Sequence, residues 1–319
     1  MFVILALVAI LAALWVFTRL SVLAINRTWP AVGSVLEIGG LDVHVLDLPG
    51  PAGAPVLVLL HGASGNLREP LEALRDSFDG RFRIVGIDRP GHGHSSRGGR
   101  DMSDPARQAD LIAAVLAKLN AEPAVVLGYS WGASVAAALA VRHPRAVAGL
   151  VLVAPATHAW PGGVSARSRF FALPQLGRVL AELVVVPTGL LIAPMSIRAV
   201  FSPDPVPADY ARRIGAFLAI RPEAFVANAR DVAELYGHVI RLSARYHEIA
   251  APTEILTADI DPIVSPAIHA FGLARDIPGA RLTVTRGGGH MLHWTRTAEV
   301  VGAIDRVLER AEARLRAAE

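Results

Sequence analysis

The stretch "VVLGYSWGASVAAALA", residues 125–140, constrains the fold more than any other. A continuous apolar run ends at Gly128. One hydroxyl, Ser130, stands between Tyr129 and Trp131, and Gly132 and an Ala-rich segment follow. An apolar run of this length reads as a strand buried on both faces, and such strands belong to parallel sheets covered by helices. A sharp strand-to-helix turn would set the serine Oγ at the end of the sheet. Small residues on either side leave room where two backbones crowd, and the first turn of the helix supplies free N–H groups at the same place.

The rest of the chain repeats the alternation. "SVLEIG" (34–39) and "LDVHVLDL" (41–48), separated by a glycine turn, predict a hairpin. "VLVLL" (56–60), "FRIVGID" (82–88) and "VAGLVLVAP" (147–155) predict further buried strands, with helices at 68–79, 104–120 and 131–142. The class is therefore α/β, with a mostly parallel central sheet and helices on both of its faces. The pattern stops after Pro155. It resumes with "TEILTA" (253–258) and "RLTVT" (281–285) and closes in an amphipathic helix over 297–316. The interval 156–246 is too long for a plain loop. It predicts a helical cap, or lid, inserted between two halves of one core, 33–155 and 247–319. Inside it, the apolar run 183–195 is expected to be interrupted by Pro187, Gly189 and Pro194, and most of the apolar side chains of 170–195 are expected to pack inward.

Residues 1–17 carry no charge, and Arg19 follows. Residues 1–25 predict a transmembrane signal-anchor helix, with Arg19 reaching to the interface. The competing reading is a cleaved signal peptide and a secreted or periplasmic product. That reading wants a basic segment before the apolar run, where only Met1 and Phe2 stand. Arg19 and Arg27, at the far end of the span, favour a cytoplasmic main domain. The span also accounts for part of the 53% hydrophobic content. With 31 Lys plus Arg against 28 Asp plus Glu, and no basic block, the chain lacks a nucleic-acid footprint. It has no cysteine, which excludes disulfides, thiolate metal sites and a cysteine nucleophile. It carries no signal of oligomeric state.

Four further stretches fall after predicted strands. "LLHGASGN" (59–66) follows the third and "DRPGHGHSS" (88–96) the fourth. "DIDPIVSP" (259–266) follows "TEILTA", and "GGGHMLHW" (287–294) follows "RLTVT". In this order, together with "GYSWG", the chain resembles the α/β-hydrolase superfamily in its lidded, serine esterase-like branch, over about residues 33–319. The resemblance implies an α/β-hydrolase fold with Ser130 as nucleophile, His290 as base and Asp261 as the acid that orients it. It further implies an oxyanion hole made by the backbone N–H groups of Ala63 and Trp131, with no cofactor and no metal. Asp259 competes with Asp261, because "DPIVSP" departs from the family form D-x-x-V-P by the extra Ser265. His61, His92 and His94 are expected to shape their own loops; the "HGH" pair lacks the carboxylates of a metal site. His293, three residues past His290, is the lesser candidate for the base.

Nucleophile–Trp–Gly is also similar to the elbow of haloalkane dehalogenases and epoxide hydrolases, whose nucleophile is an aspartate. Alkyl transfer to a serine would leave an ether that water does not cleave, whereas an acyl-serine ester deacylates. The expectation is a membrane-anchored serine hydrolase acting on a small apolar acyl substrate. Alternatives on the same fold are a C–C bond hydrolase or a cofactor-free perhydrolase. Outside the enzymes, the alternative is a ligand-binding receptor or scaffold.

Overall fold

Each predicted strand takes its place in one eight-stranded sheet. The computed structural model describes residues 1–78 and 80–318. The strands are β1 (Ser34–Ile38), β2 (Leu41–Leu48), β3 (Val56–Leu60), β4 (Arg83–Ile87), β5 (Ala124–Tyr129), β6 (Val147–Val153), β7 (Thr253–Ala258) and β8 (Arg281–Thr285). They lie in the order β1-β2-β4-β3-β5-β6-β7-β8. Only β2 runs against its neighbours; the pairs from β4 to β8 are parallel.

The period-2 geometry of the strands divides their side chains between two apolar layers. Val58, Leu60, Val126, Leu150 and Leu152 face one layer, with Leu111, Ile112 and Val115 of α3 (Pro105–Lys118) and the small residues of α4 (Trp131–Arg142). Leu57, Leu59, Val125, Leu127 and Val151 face the other, with Leu71 and Leu74 of α2 (Arg68–Leu74) and Val300, Ile304 and Val307 of α12 (Thr297–Ala318). Two short helices, α10 (Ala270–Asp276) and α11 (Leu292–Thr295), complete the C-terminal part.

Between β6 and β7 the chain forms α5 (Ala166–Phe171), α6 (Leu176–Leu180), a π turn (Ala181–Val185), α7 (Val186–Phe201), α8 (Tyr210–Ile214) and α9 (Pro222–Ser243). Two expectations fail here. The prolines and Gly189 do not break the run, because Leu176–Phe201 is helical throughout and long enough to cross a membrane. Pro187 lies in the first turn of α7 after the π turn, where its missing N–H costs little. Gly189 serves close packing, since a Cβ there would meet Ile220 Cγ2 at 2.8 Å. Nor do the apolar side chains mostly turn inward. Val185 and Val186 are buried, whereas Phe170, Leu173, Leu176, Val179, Leu190, Leu191, Ile192 and Met195 are exposed.

The N-terminal helix α1 (Phe2–Thr28) has a mean hydropathy of 2.5 over its most apolar stretch and is a candidate membrane span. Thr18 and Ile25 are its buried residues, and it packs against the π turn and α7. Arg19 pairs with Glu182 at 3.5 Å, and the Trp29 indole N–H donates to the Arg212 carbonyl at 2.8 Å. Residues 2–13 are exposed.

The loops at the C-terminal edge of the sheet are tied together by Asp88, just past β4. One carboxylate oxygen accepts the Leu67 N–H at 2.7 Å. The other accepts the His94 N–H at 2.8 Å and lies 2.6 Å from His44 Nδ1 on β2. Gly93 is left-handed (φ +49°), and any Cβ there would collide with this carboxylate. Burial alone would raise the Asp88 pKa, but the His44 contact and the backbone donor outweigh it and hold the group below the usual carboxylate range. Asp88→Asn, which turns one acceptor into a donor, should cost about 2–4 kcal/mol by urea unfolding at neutral pH. Because the folded pKa is depressed, this contribution is complete above the unfolded value of about 4 and is lost as pH falls through the folded value. The gap between wild type and variant should therefore close on acidification. A gap below about 1 kcal/mol, or one that widens in acid, contradicts this role.

Candidate active site

Ser130 sits at the turn from β5 into α4 with φ +52° and ψ −116°, a conformation that a residue with a side chain rarely adopts. Its neighbours hold it there. The Ser130 N–H donates to the Val153 carbonyl at 2.9 Å, and its own carbonyl accepts the Ala156 N–H at 3.2 Å. The two glycines answer to two close approaches. A Cβ on Gly128 would lie 2.7 Å from Ala133 Cα, and one on Gly132 would lie 2.5 Å from the carbonyl oxygens of both Leu60 and His61. The G-x-S-x-G spacing is thus the spacing at which strand, helix and the loop after β3 touch.

His290 follows β8 and the run Gly287–Gly289. Its Nε2 is 3.1 Å from Ser130 Oγ, and its Nδ1 is 2.7 Å from Asp261 Oδ2. The second Asp261 oxygen accepts the N–H groups of Ile263 (2.8 Å) and Val264 (3.0 Å), so both oxygens are engaged. The extra Ser265 falls beyond these donors and leaves the turn undisturbed. The Asp261 side chain has 0% exposure and that of His290 3%, which excludes water from the pair. Asp259 is exposed, and it accepts the Gly287 N–H at 2.7 Å at the base of the histidine loop instead of touching the ring. His293 is buried 2.5 Å from Glu69 Oε1, away from Ser130. The Tyr129 ring packs on both histidines, at 5.1 and 4.2 Å between centroids, and burial followed by the Glu69 charge keeps its phenol protonated.

Trp131 is the first residue of α4, so its backbone N–H has no intrahelical acceptor. The loop carrying Ala63 passes against the serine, since a Cβ on Gly62 would lie 3.1 Å from Ser130 Cβ. The structure therefore brings Ser130, His290 and Asp261 into one line, with the Ala63 and Trp131 backbones beside it. Among the described residues no cluster of three or more His, Cys, Asp or Glu is placed to hold a metal.

Sequence reading missed the residue beneath this site. Arg89, in "DRPGHGH", is fully buried. Its guanidinium donates to the carbonyls of His61 and Gly62, each at 3.0 Å, and to Asp231 Oδ2 on α9 at 2.8 Å, and it lies 4.2 Å over the Trp131 ring. His61 Nδ1 lies 2.8 Å from the Gly62 carbonyl, while its Nε2 accepts the Arg89 backbone N–H at 3.0 Å, so Nδ1 carries the proton. Burial, then the Arg89 charge, hold His61 and His92 well below the usual histidine range, and both stay neutral.

The family model for the alpha/beta hydrolase fold matches residues 55–297. The chain belongs to the α/β-hydrolase fold family. It is a hydrolase. It is 30% identical over 275 residues to the 2-hydroxy-6-oxononadienedioate/2-hydroxy-6-oxononatrienedioate hydrolase of Paraburkholderia phymatum, covering 82% of this chain and 89% of that one. It is 34% identical over 125 residues to the magnesium-chelatase 30 kDa subunit of Rhodobacter capsulatus, a match that spans 38% of this chain and only 43% of that protein. A crystal structure of a bacterial membrane phospholipase A superposes with a TM-score of 0.65 at 22% identity, covering 97% of this chain and 96% of that one. This last likeness is one of fold.

Proposed function

We propose that this α/β-hydrolase is a serine hydrolase that cleaves esters of apolar acyl groups through an acyl-Ser130 intermediate, at a membrane to which α1 anchors it. The observation that carries the reading is the unbroken line from Ser130 Oγ to His290 to the buried Asp261, mounted at a helix N-terminus.

A serine hydroxyl is not ionised at neutral pH and needs a base within hydrogen-bond reach. Ser130 Oγ attacks the ester carbonyl carbon as its proton passes to His290 Nε2, and Asp261 stabilises the imidazolium through Nδ1–H. The carbonyl oxygen becomes an oxyanion facing the N–H groups of Trp131 and Ala63. Collapse expels the alcohol, which takes the proton from His290. Water, deprotonated by the same imidazole, then attacks the acyl-serine and releases the acid. A second reading, hydrolysis of a carbon–carbon bond in a β-diketone-type substrate, is favoured by the likeness to the Paraburkholderia dienedioate hydrolase.

The apolar exposed face of α5–α7 lies on the segment that α1 packs against. A bilayer would cover both, and apolar esters concentrate there.

Incubation with a fluorophosphonate should give a stoichiometric adduct on Ser130 by intact mass. Ser130→Ala should form none and should lose on the order of 10⁴-fold in kcat. No adduct on folded wild-type protein favours the receptor reading, and a dienedioate-type substrate turned over faster than any ester transfers the assignment to C–C hydrolysis. Across p-nitrophenyl esters, kcat/KM should climb from acetate to butyrate to hexanoate, since each buried methylene contributes roughly 0.8 kcal/mol; a maximum at acetate removes the apolar-acyl preference. On cell fractionation the full-length chain should stay in the membrane pellet through alkaline carbonate. Recovery of a chain shortened at its N-terminus would make α1 a leader instead of an anchor.

A further inference from the structure

We propose that helix α9 of the insertion is the template that shapes the oxyanion-binding backbone, with Asn228, Asp231 and Arg89 as positioning residues. The inference rests on the serine-hydrolase reading and extends it to residues that do not touch substrate.

The peptide that carries the Ala63 N–H has the Gly62 carbonyl at its other end. In a trans peptide these two groups point in opposite directions. Whatever grips the Gly62 oxygen therefore aims the Ala63 N–H, and that oxygen is held by Arg89 Nη2 at 3.0 Å and by His61 Nδ1 at 2.8 Å. The next peptide is fixed as well. Its N–H, on Ser64, donates to Asn228 Oδ1 of α9 at 2.6 Å, and Ser64 is held in the left-handed region at φ +55°. Two successive peptides of this loop are thus clamped, one by Arg89 with His61 and one by α9 directly.

Arg89 is itself set by α9. Asp231 Oδ2 accepts its Nη1 at 2.8 Å with both side chains at 0% exposure, and Asp231 Oδ1 accepts Arg97 Nη1 at 2.6 Å. The Asp231 main-chain carbonyl accepts the Trp131 indole N–H at 3.2 Å. Trp131 carries the second proposed donor on its backbone, so one turn of α9 holds the side chain of that residue and, through Asn228 and Arg89, the loop of the other. Such groups act by preorganising donors where charge develops, so their loss should fall on the transition state and spare ground-state binding.

The test compares Asn228→Ala with Asn228→Asp in the full chain; Asp231 variants strand a buried guanidinium and report on folding as well. The readouts are kcat and KM for a soluble ester and the inhibition constants of an alkyl trifluoromethyl ketone and of the matching methyl ketone. The first ketone forms a tetrahedral adduct with Ser130, and the second binds as a ground-state mimic. Asn228→Ala should lower kcat about tenfold with KM little changed, and weaken the trifluoromethyl ketone by the same factor while the methyl ketone stays within about twofold. Asn228→Asp keeps an oxygen facing the Ser64 N–H and should recover most of the loss. An unchanged kcat, equal weakening of both ketones, or an Asp variant as impaired as Ala overturns the proposal. Should wild type label with fluorophosphonate and Asn228→Ala label at an equal rate, this inference alone falls; should wild type not label at all, the serine reading falls and takes it along.

Discussion

A guanidinium with no exposed surface has to be matched group by group, and the rest of this molecule is arranged around the matching of Arg89. Its partners come from three separate regions: the loop after β3, helix α3 through Gln108, and helix α9 of the insertion. The Trp131 ring closes the remaining face. Burial pulls the guanidinium pKa down and the Asp231 carboxylate pulls it back. Such a pair adds little net stability over a well-packed apolar substitute, but removing one partner costs about 3–5 kcal/mol. What the pair does supply is registry. The sheet's loop edge and the insertion have one relative placement in which both charges are satisfied, and Asp88, a residue earlier, fixes β2 and two loops in the same way.

That network was invisible in the sequence, for a physical reason. Strands and crossover helices are written locally: the alternation of Leu57, Val58, Leu59 and Leu60 between two layers follows from period 2, and each strand lies where its apolar run lies. The serine turn is written locally in part: Gly128 answers to Ala133, a few residues past Ser130, whereas Gly132 answers to the carbonyls of Leu60 and His61 from a distant strand and its loop. Arg89 and Asp231 are 142 residues apart, and neither belongs to a pattern with a period. Asp261 stands between these cases. Its place after β7 is local, but its choice over Asp259 depends on two backbone donors and a ring that the loop brings in from elsewhere.

The insertion was misread where composition and context pull apart. Apolar residues are expected inside, and proline is expected to end a helix. Leu176–Phe201 breaks both rules at once. Pro187 falls in the first turn of α7 just after the π turn, Pro194 lies within α7 without ending it, and the apolar face is left outside. Eight large apolar side chains from Phe170 to Met195 are exposed, where single scattered ones would need no explanation. The neighbouring α1, whose residues 2–13 are exposed, is a second apolar surface, and the two together are what the proposed membrane anchoring answers to.

The insertion has two parts that differ in how they are held. Residues of α8 and α9 and their flanks are bonded to the core at many points: Arg213 to Glu72, the Ile214 carbonyl to Asn66, Arg221 to the Gly93 carbonyl, Asn228 to Ser64, and Asp231 to Arg89. Just before them, Asp204 accepts the Gly289 N–H at 3.0 Å and so steadies the histidine loop. Among the described residues no side-chain hydrogen bond ties α5–α7 to the sheet; the ion pair from Glu182 goes to α1 and that from Arg178 goes to Glu223 within the insertion. Ser130 itself is 8% exposed. The insertion's bonds that shape the Ala63 loop and the His290 loop all come from α8, α9 and their flanks. The α5–α7 half is held by apolar contact, through Phe201, Ile197 and Val200 to the sheet and through Ala181 and Val185 to α9, and it is also the half whose outer face is apolar and exposed.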